Sequence, residues 1–80
     1  MEVTNIVIGL SMIEEDDTVP RNIRQRIKET RLLLVPDCDD IAIDKSLEEL
    51  ELVVDDPNVP QYTRAQIMTV VSMLENQLRL

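Results

Sequence analysis

The segment PDCDD, residues 36–40, contains the single cysteine of the chain and three of its acidic residues. A cysteine among acids suggests a thiolate nucleophile or a divalent-cation site, but Asp37, Asp39 and Asp40 disfavour the thiolate that reactivity requires. The segment also lacks the glycine and the distal bidentate glutamate of an EF-hand loop. Helix capping by Asp39 or Asp40 is the commoner use of such acids, so we expect Cys38 to be a loop thiol of no special role.

The rest of the chain offers little catalytic chemistry. It has no histidine, the most versatile acid–base group and the commonest metal ligand. No glycine-rich phosphate-binding loop and no nucleophile-elbow motif occurs in it. We therefore predict no catalytic residue, no cofactor-binding residue and no metal ligand, and we predict that the protein is not an enzyme.

Charge is segregated along the chain, because residues 20–34 hold five of its eight cations. Four of these cations fall within one narrow arc of a helix and form a basic stripe: Arg21, Arg24, Lys28 and Arg31. In one hypothesis the basic stripe contacts nucleic-acid phosphates. In the other it pairs with the acidic face of helix three or with a neighbouring subunit. We favour the second, since the net charge of −8 repels polyanions and the chain lacks an aromatic platform for bases.

Four stretches with helical periodicity, separated by proline-marked breaks, must position these residues. The predicted helices cover about residues 2–15, 20–34, 40–54 and 60–78. Without phenylalanine or tryptophan, their core must be built from interdigitating aliphatic side chains. In chain order, the predicted inward residues are Val3, Ile6, Val7, Leu10 and Ile13; Ile23, Ile27, Thr30 and Leu34; Ile43, Leu47, Leu50 and Val54; and Ile67, Val71, Leu74 and Leu78.

The phrase DDTVPRNIRQRI, residues 16–27, returns about forty residues later as DDPNVPQYTRAQI, residues 55–67. A shift of 40 residues needs no gap and pairs Val19 with Val59, Pro20 with Pro60, Arg24 with Arg64 and Ile27 with Ile67. A period near 40 is typical of stacked helical repeats, and one amphipathic hairpin cannot bury its apolar face alone. We therefore predict an all-α fold: a four-helix antiparallel bundle of two tandem helical hairpins, residues 1–40 and 41–80, in a single domain.

The repeated acids and arginines lie at the turns of the predicted hairpins. Asp16 and Asp56 end or link helices, and Arg24 and Arg64 are expected to reach back to the acids across each turn. Alternatively, these four residues form a symmetric ligand site for phosphate or a metal. The structural interpretation is favoured, because turn formation and a local ion pair account for every residue without a ligand.

Apolar residues outside the predicted core stripes indicate self-association. The candidate oligomer contacts are Met1, Ile8, Met12, Met68 and Met73. Contiguous exposed apolar surface usually marks an interface, and methionine adapts well to one. Oligomerisation would also relieve the poor burial of a chain of only 80 residues. The alternative is a loosely covered surface, since scattered apolar residues need no explanation.

The segments DDTVPRNIR and DDPNVPQYTRAQI…VVSMLE resemble, over nearly the whole chain, the pattern of a short archaeal family known as uncharacterised protein family 0147 (UPF series). The resemblance implies an archaeal, cytoplasmic, all-helical protein, and it supplies no activity and no functional residues. More distantly, the D…VP…R phrase at a hairpin turn is similar to HEAT repeats, which are scaffolds for protein partners. Fold alone does not prove function.

Composition sets the remaining expectations. A net charge of −8 favours a soluble acidic protein, and a single cysteine fits a reducing cytoplasm. The apolar run at residues 6–13 is too short to span a bilayer, so we expect no membrane association. The sequence favours a small homo-oligomeric interaction or scaffold module with an unknown protein partner. The alternative function is a nucleic-acid- or ribosome-associated accessory protein that uses the basic stripe.

Overall fold

Four α-helices account for most of this computed structural model, which describes residues 3–78. They are α1 (Thr4–Glu14), α2 (Arg21–Leu33), α3 (Asp40–Val54) and α4 (Gln61–Leu78). No strand occurs within the described residues. The prediction of an all-α fold is confirmed, and the predicted helix ends lie within two residues of the observed ones wherever the chain is described.

The helices pack antiparallel around one core. Each helix contacts two neighbours: α1 contacts α2 and α4, and α3 contacts α2 and α4. Helices at diagonal corners make no backbone contact within residues 3–78. The result is a bundle with backbone extents of 33 × 19 × 16 Å, in which every helix has one inward face, two flanks and one outer face.

Aliphatic side chains fill the space between the four helices, as the helical periodicity requires. Most predicted inward residues are buried, and Val7, Leu47 and Val54 are half-buried against the core. The prediction for Leu78 is wrong, because this residue lies in the last turn of α4 and is 37% exposed. The buried aliphatic residues are Val3, Ile6, Leu10, Ile13, Val19, Ile23, Ile27, Leu34, Ile43, Leu50, Val53, Val59, Ile67, Val70, Val71 and Leu74.

Three small polar residues also lie in the core. The hydroxyl of Thr30 donates to the carbonyl of Arg26 at 3.0 Å, and that of Ser46 donates to the carbonyl of Ala42 at 2.9 Å. Such bonds to the preceding helical turn satisfy a buried hydroxyl. The hydroxyl of Thr63 has no hydrogen-bond partner within the described residues.

The turns α1–α2 and α3–α4 make matching hydrogen bonds. Asp16 accepts from the backbone N–H of Thr18 at 2.9 Å, and Asp56 accepts from that of Asn58 at the same distance. The backbone N–H of Val19 then bonds to the carbonyl of Asp16 at 3.1 Å, and the residues 40 positions later do the same. The carboxylates thus shape their own turns. Matching turns are what the predicted tandem repeat requires, and the repeat itself stays a prediction.

The two turn arginines differ in their contacts. Arg64 donates to three backbone carbonyls, those of Val54 at 2.9 Å, Asp56 at 3.1 Å and Val59 at 3.3 Å. Arg24 donates through Nε to the carbonyl of Val19 at 3.1 Å, and its Nη1 lies 3.9 Å from a carboxylate oxygen of Asp17. The expected pairing with the turn acids is therefore wrong for Arg64, because carbonyls converge on its guanidinium. For Arg24 the acid is Asp17, at the edge of ion-pair distance.

The α2–α3 turn contains the cysteine segment. Asp39 is the N-cap of α3 and accepts from the backbone N–H of Ala42 at 3.0 Å, as the capping prediction required. The backbone N–H of Cys38 bonds to the carbonyl of Val35 at 3.0 Å, and the side chain is half-buried against the core. Asp39 thus serves to start α3.

The unequal arginine contacts lead to a stability prediction. We expect Arg64→Ala to lower the free energy of unfolding by about 1.5–3 kcal/mol, because three carbonyls lose a charged donor. We expect Arg24→Ala, which removes one such bond, to cost less than about 1 kcal/mol. Urea denaturation monitored by circular dichroism measures both, and equal losses would contradict the assigned role of Arg64.

A second prediction concerns Asp16. Hydrogen bonds from the side chain and backbone of Thr18 hold the pKa of Asp16 below its ordinary value of 3.8. Because the folded-state pKa is lowered, this carboxylate stabilises the fold above pH 3.8, and the contribution is lost as pH falls through the lowered pKa. We expect Thr18→Ala to raise the pKa of Asp16 in a carboxyl NMR titration. Thr69→Ala, which removes a hydroxyl bonded within α4, should leave it unchanged.

Candidate functional site

Charge divides the bundle into two unequal halves. α2 and α3 each contain six charged residues, whereas α1 contains Glu14 alone and α4 contains only Arg64 and Glu75. No charged side chain occurs between Thr4 and Ile13 or between Ala65 and Leu74. Because α1 and α4 are neighbours, the central part of the side that they form carries no charge within residues 3–78.

This side is the first candidate site, and we term it the uncharged face. Its residues are Asn5, Ile8, Gly9 and Met12 of α1 and Gln66, Thr69, Met73 and Asn76 of α4. Two shallow grooves between the helices are lined by members of this set, with Met73 common to both. Ile8 and Met12 are 52% and 57% exposed and lie one helical turn apart, so they form a small apolar centre among amides and a hydroxyl.

Gly9 lets α1 approach α4 closely. A Cβ at this position would lie 3.1 Å from the Cγ2 atom of Val70, which is closer than an ordinary van der Waals contact. Beside it, the buried Oε1 atom of Gln66 has no hydrogen-bond partner within the described residues. The uncharged face therefore combines close helix packing with an unsatisfied amide.

The groove between α2 and α3 occupies the corresponding position on the charged half. Residues 40 positions apart along the chain, which we term counterparts, line the two grooves: Glu49 and Gly9, Leu52 and Met12, Leu33 and Met73. Arg26 and Gln66 are also counterparts. An ion pair between Arg26 and Glu49 joins α2 to α3, with 2.8 Å between Nε and Oε1. The counterparts of these two residues, Gln66 on α4 and Gly9 on α1, carry no charge and cannot form an ion pair. Arg26 also lies 4.0 Å from Asp56.

The structure brings together some of the predicted oligomer contacts and separates another. Met12 and Met73 line the same groove of the uncharged face, and Ile8 is exposed one helical turn before Met12. Met68 is exposed but lies five residues before Met73, which rotates it by roughly 140° around α4, toward the α3 side. Met1 lies outside the described residues.

The predicted basic stripe is divided in a similar way. Arg31 donates to Glu14 through Nε and also through Nη2, the latter at 3.2 Å, and both side chains are partly buried. This hydrogen bonding raises the pKa of the Arg31 guanidinium above its ordinary value. The acidic partner therefore lies on α1, and the expectation of a partner on helix three is wrong for the stripe. Arg26, which lies outside the stripe, is the α2 cation that pairs with α3.

The rest of the stripe lines a shallow depression of about 210 Å³ between α1 and α2. We term it the basic depression, and it is formed by Glu14, Arg21, Arg24, Gln25 and Lys28. Arg21 and Lys28 are exposed and make no ion pair or side-chain hydrogen bond within residues 3–78. Sequence periodicity placed Arg21, Arg24 and Lys28 on one flank of α2, but it did not reveal that Glu14 holds Arg31.

Metal ligation and membrane crossing are two further properties that bear on function. No group of three or more histidine, cysteine or acidic side chains within residues 3–78 is placed to hold a metal ion. Within the same residues, none of the helices combines the length and the apolar character needed to cross a bilayer.

The tight contact at Gly9 leads to a third prediction. Alanine in place of an interior helical glycine gains about 1 kcal/mol of helix propensity, but here the new methyl group meets Val70. We expect Gly9→Ala to stabilise the Val70→Ala variant by more than it stabilises the parent protein, with a coupling of at least about 0.5 kcal/mol. Thermal unfolding of the four proteins measures the coupling, and strict additivity would show that α1 and α4 are not in close contact at Gly9.

Comparison with known proteins places the chain in a family. The Uncharacterised protein family (UPF0147) matches residues 1–77. A UPF0147 protein of Methanocaldococcus jannaschii is 32% identical over 88% of this chain and 77% of its own length. Those of Sulfurisphaera tokodaii and Methanosarcina mazei, which like the first are archaeal, are 32% and 35% identical, over 92% and 82% of this chain and 85% and 73% of their own lengths. No solved structure matches. With both the family model and these relatives covering most of its length, the chain belongs to the Uncharacterised protein family (UPF0147).

Proposed function

We propose that the protein is a small cytoplasmic interaction module that self-associates through its uncharged face and has a binding role, not a catalytic one. The observation that carries this proposal is the separation of charge, with six charged residues on each of α2 and α3 and three in total on α1 and α4. A monomer gains nothing from a face without charge, whereas an interface does, because charged residues are depleted at interface centres.

A second copy of the chain is the partner that fits this face. Two copies carry −8 each, and bringing charged surfaces together would add repulsion between like charges. At a two-fold axis a residue meets its own copy, so a charged group near the axis would meet its own sign. Amides are both donors and acceptors, so Asn5 or Asn76 can pair with its own copy near the axis. The uncharged face is therefore self-complementary.

The size of the bundle determines how much of the uncharged face an interface must cover. Specific interfaces bury about 800 Å² per partner. The long side of this molecule measures 33 by 19 Å, so an interface of that size requires most of the length of both α1 and α4. Ile8, Met12 and Met73 would form its apolar centre.

Self-association would leave the charged half exposed. A dimer formed through α1 and α4 presents two copies of the α2–α3 surface on its outside, where an as yet unknown protein partner could bind bivalently. This arrangement fits a scaffold, because linked copies of one surface bind more tightly than a single copy does.

Nucleic-acid or ribosome association is the second candidate function. The observation in its favour is that Arg21 and Lys28 are exposed and unpaired within the described residues. Two observations weigh against it. Arg31 and Arg26 are paired with acids, and the net charge of −8 repels a polyanion.

Charge substitution at matched positions tests self-association. Met12 on the uncharged face and Leu52, its counterpart on α3, are 57% and 55% exposed, so both tolerate a polar side chain. We expect Met12→Glu to weaken the dimer at least tenfold, because each interface acquires two like charges. We expect Leu52→Glu to leave the dimerisation constant unchanged. Sedimentation equilibrium over micromolar to millimolar concentrations measures the constant.

Three results would contradict the proposal. The parent protein could sediment as a monomer throughout the concentration range. Leu52→Glu could weaken association as much as Met12→Glu, which would place the interface on the charged half. Both variants could dimerise as the parent does. Circular dichroism of each variant confirms that the bundle is intact before the comparison.

A further inference from the structure

Arg24 and Arg64 occupy equivalent positions in the two turns, but they differ in how many of their N–H groups remain without a hydrogen bond within the described residues. Arg64 uses Nε and Nη2 on three carbonyls of its own turn, so most of its hydrogen-bonding capacity is consumed. Arg24 uses only Nε on one carbonyl, and that bond fixes the side chain against the α1–α2 turn. The Nη groups of Arg24 make no hydrogen bond within the described residues. Arg24 lines the basic depression, and the bond through Nε holds its side chain without neutralising its charge.

The neighbours of Arg24 strengthen the contrast between the turns. Arg21 and Lys28 lie three residues before and four residues after it, so the three cations share one flank of α2. Their counterparts on α4 are Gln61 and Met68, which carry no charge. The fold therefore does not need cations at these positions.

The acids near the depression leave its charge positive. Glu14 contributes one carboxylate, which is already bound by two nitrogens of Arg31. Asp17 approaches Arg24 at only 3.9 Å, and its side chain is 99% exposed, so water screens that pair. Gln25 uses its amide on Glu29 at 3.3 Å. Asp16 also attracts Arg24 electrostatically, while its carboxylate accepts hydrogen bonds from Thr18. Arg21 and Lys28 thus remain without an ion pair within residues 3–78, on a protein of net charge −8.

We propose that the basic depression binds a single phosphate group, either free or as part of a small phosphorylated molecule. Arg24 would supply the fixed Nη donors, and Arg21 and Lys28 would close over the anion from the two sides. The volume of about 210 Å³ falls below the roughly 300–1,000 Å³ of pockets for drug-sized ligands, which favours a small anion. A nucleic-acid strand fits less well, because the whole molecule repels polyanions and its single aromatic residue, Tyr62, lies on α4.

Titration with sodium phosphate at constant ionic strength tests the proposal. The probe is inorganic phosphate, and the readout is the NMR shift of the backbone amides and arginine Nε–H groups of the labelled protein. We expect saturable shifts centred on Arg21, Arg24 and Lys28. Arg21→Gln and Lys28→Met install the residues found at the counterpart positions, so the fold should tolerate them. We expect each to weaken binding at least threefold and the double variant at least tenfold.

Two control variants separate a built site from positive charge alone. Lys45→Gln removes an exposed cation from α3 and should leave phosphate binding unchanged. Gln61→Arg combined with Met68→Lys copies the cations onto α4, beside Arg64. Because Arg64 is occupied by carbonyls, we expect no saturable phosphate binding there. Non-saturable shifts in the parent, unchanged binding in the double variant Arg21→Gln/Lys28→Met, or a new site on α4 of equal affinity would each overturn the proposal.

Two additional titrations distinguish this inference from the other functions. A small phosphate monoester should bind at the same residues if the ligand is a phosphorylated molecule, and weaker binding than inorganic phosphate would identify the free anion. A single-stranded RNA that binds through these residues more than tenfold tighter than phosphate would overturn the small-anion proposal in favour of nucleic acid. Phosphate should bind equally well to Met12→Glu, because the depression lies outside the uncharged face.

Discussion

The bundle depends on one constraint, which is that no helix in it can bury its apolar surface without two neighbours. The core contains no aromatic residue, so burial comes from aliphatic side chains on four single stripes that meet at the centre. Four helices in a ring satisfy this requirement, and helices at diagonal corners make no backbone contact within the described residues. Stability is therefore a property of the whole ring. The flanks and outer faces of the helices contribute less, and they are free to differ in charge.

Equivalent parts of the surface make different contacts, and the proposed functions follow from these differences. At one groove Arg26 and Glu49 join α2 to α3 through an ion pair, while at the corresponding groove Gln66 and Gly9 leave α4 and α1 without one. In the α3–α4 turn Arg64 donates to three carbonyls. In the α1–α2 turn the Nη groups of Arg24 make no hydrogen bond within the described residues. Similar backbone geometry thus presents a neutral side that suits a second copy and a cationic depression that suits an anion.

The sequence was sufficient for the helices, most of the core and the Asp39 cap, because periodicity, proline and N-capping act over a few neighbouring residues. It was insufficient wherever the partner lies on another element. The Arg31–Glu14 pair depends on which helix lies beside α2, and the carbonyls bound by Arg64 depend on the backbone path of a turn. The sequence shows only that Met68 and Met73 are apolar residues outside the core stripe of α4. In the bundle Met73 lies toward α1 and Met68 lies toward α3. Leu78 matched the periodicity, yet it lies where α4 reaches the end of the core.

The most direct test of self-association identifies the atoms of one copy that contact another copy. In an equimolar mixture of isotope-labelled and unlabelled protein, filtered nuclear Overhauser spectra detect only contacts between copies. If the uncharged face is the interface, the methyl groups of Ile8, Met12 and Met73 give cross-copy signals to residues of the same face. Signals from Leu33 and Leu52 in their place, or the absence of any cross-copy signal at millimolar concentration, would contradict the account.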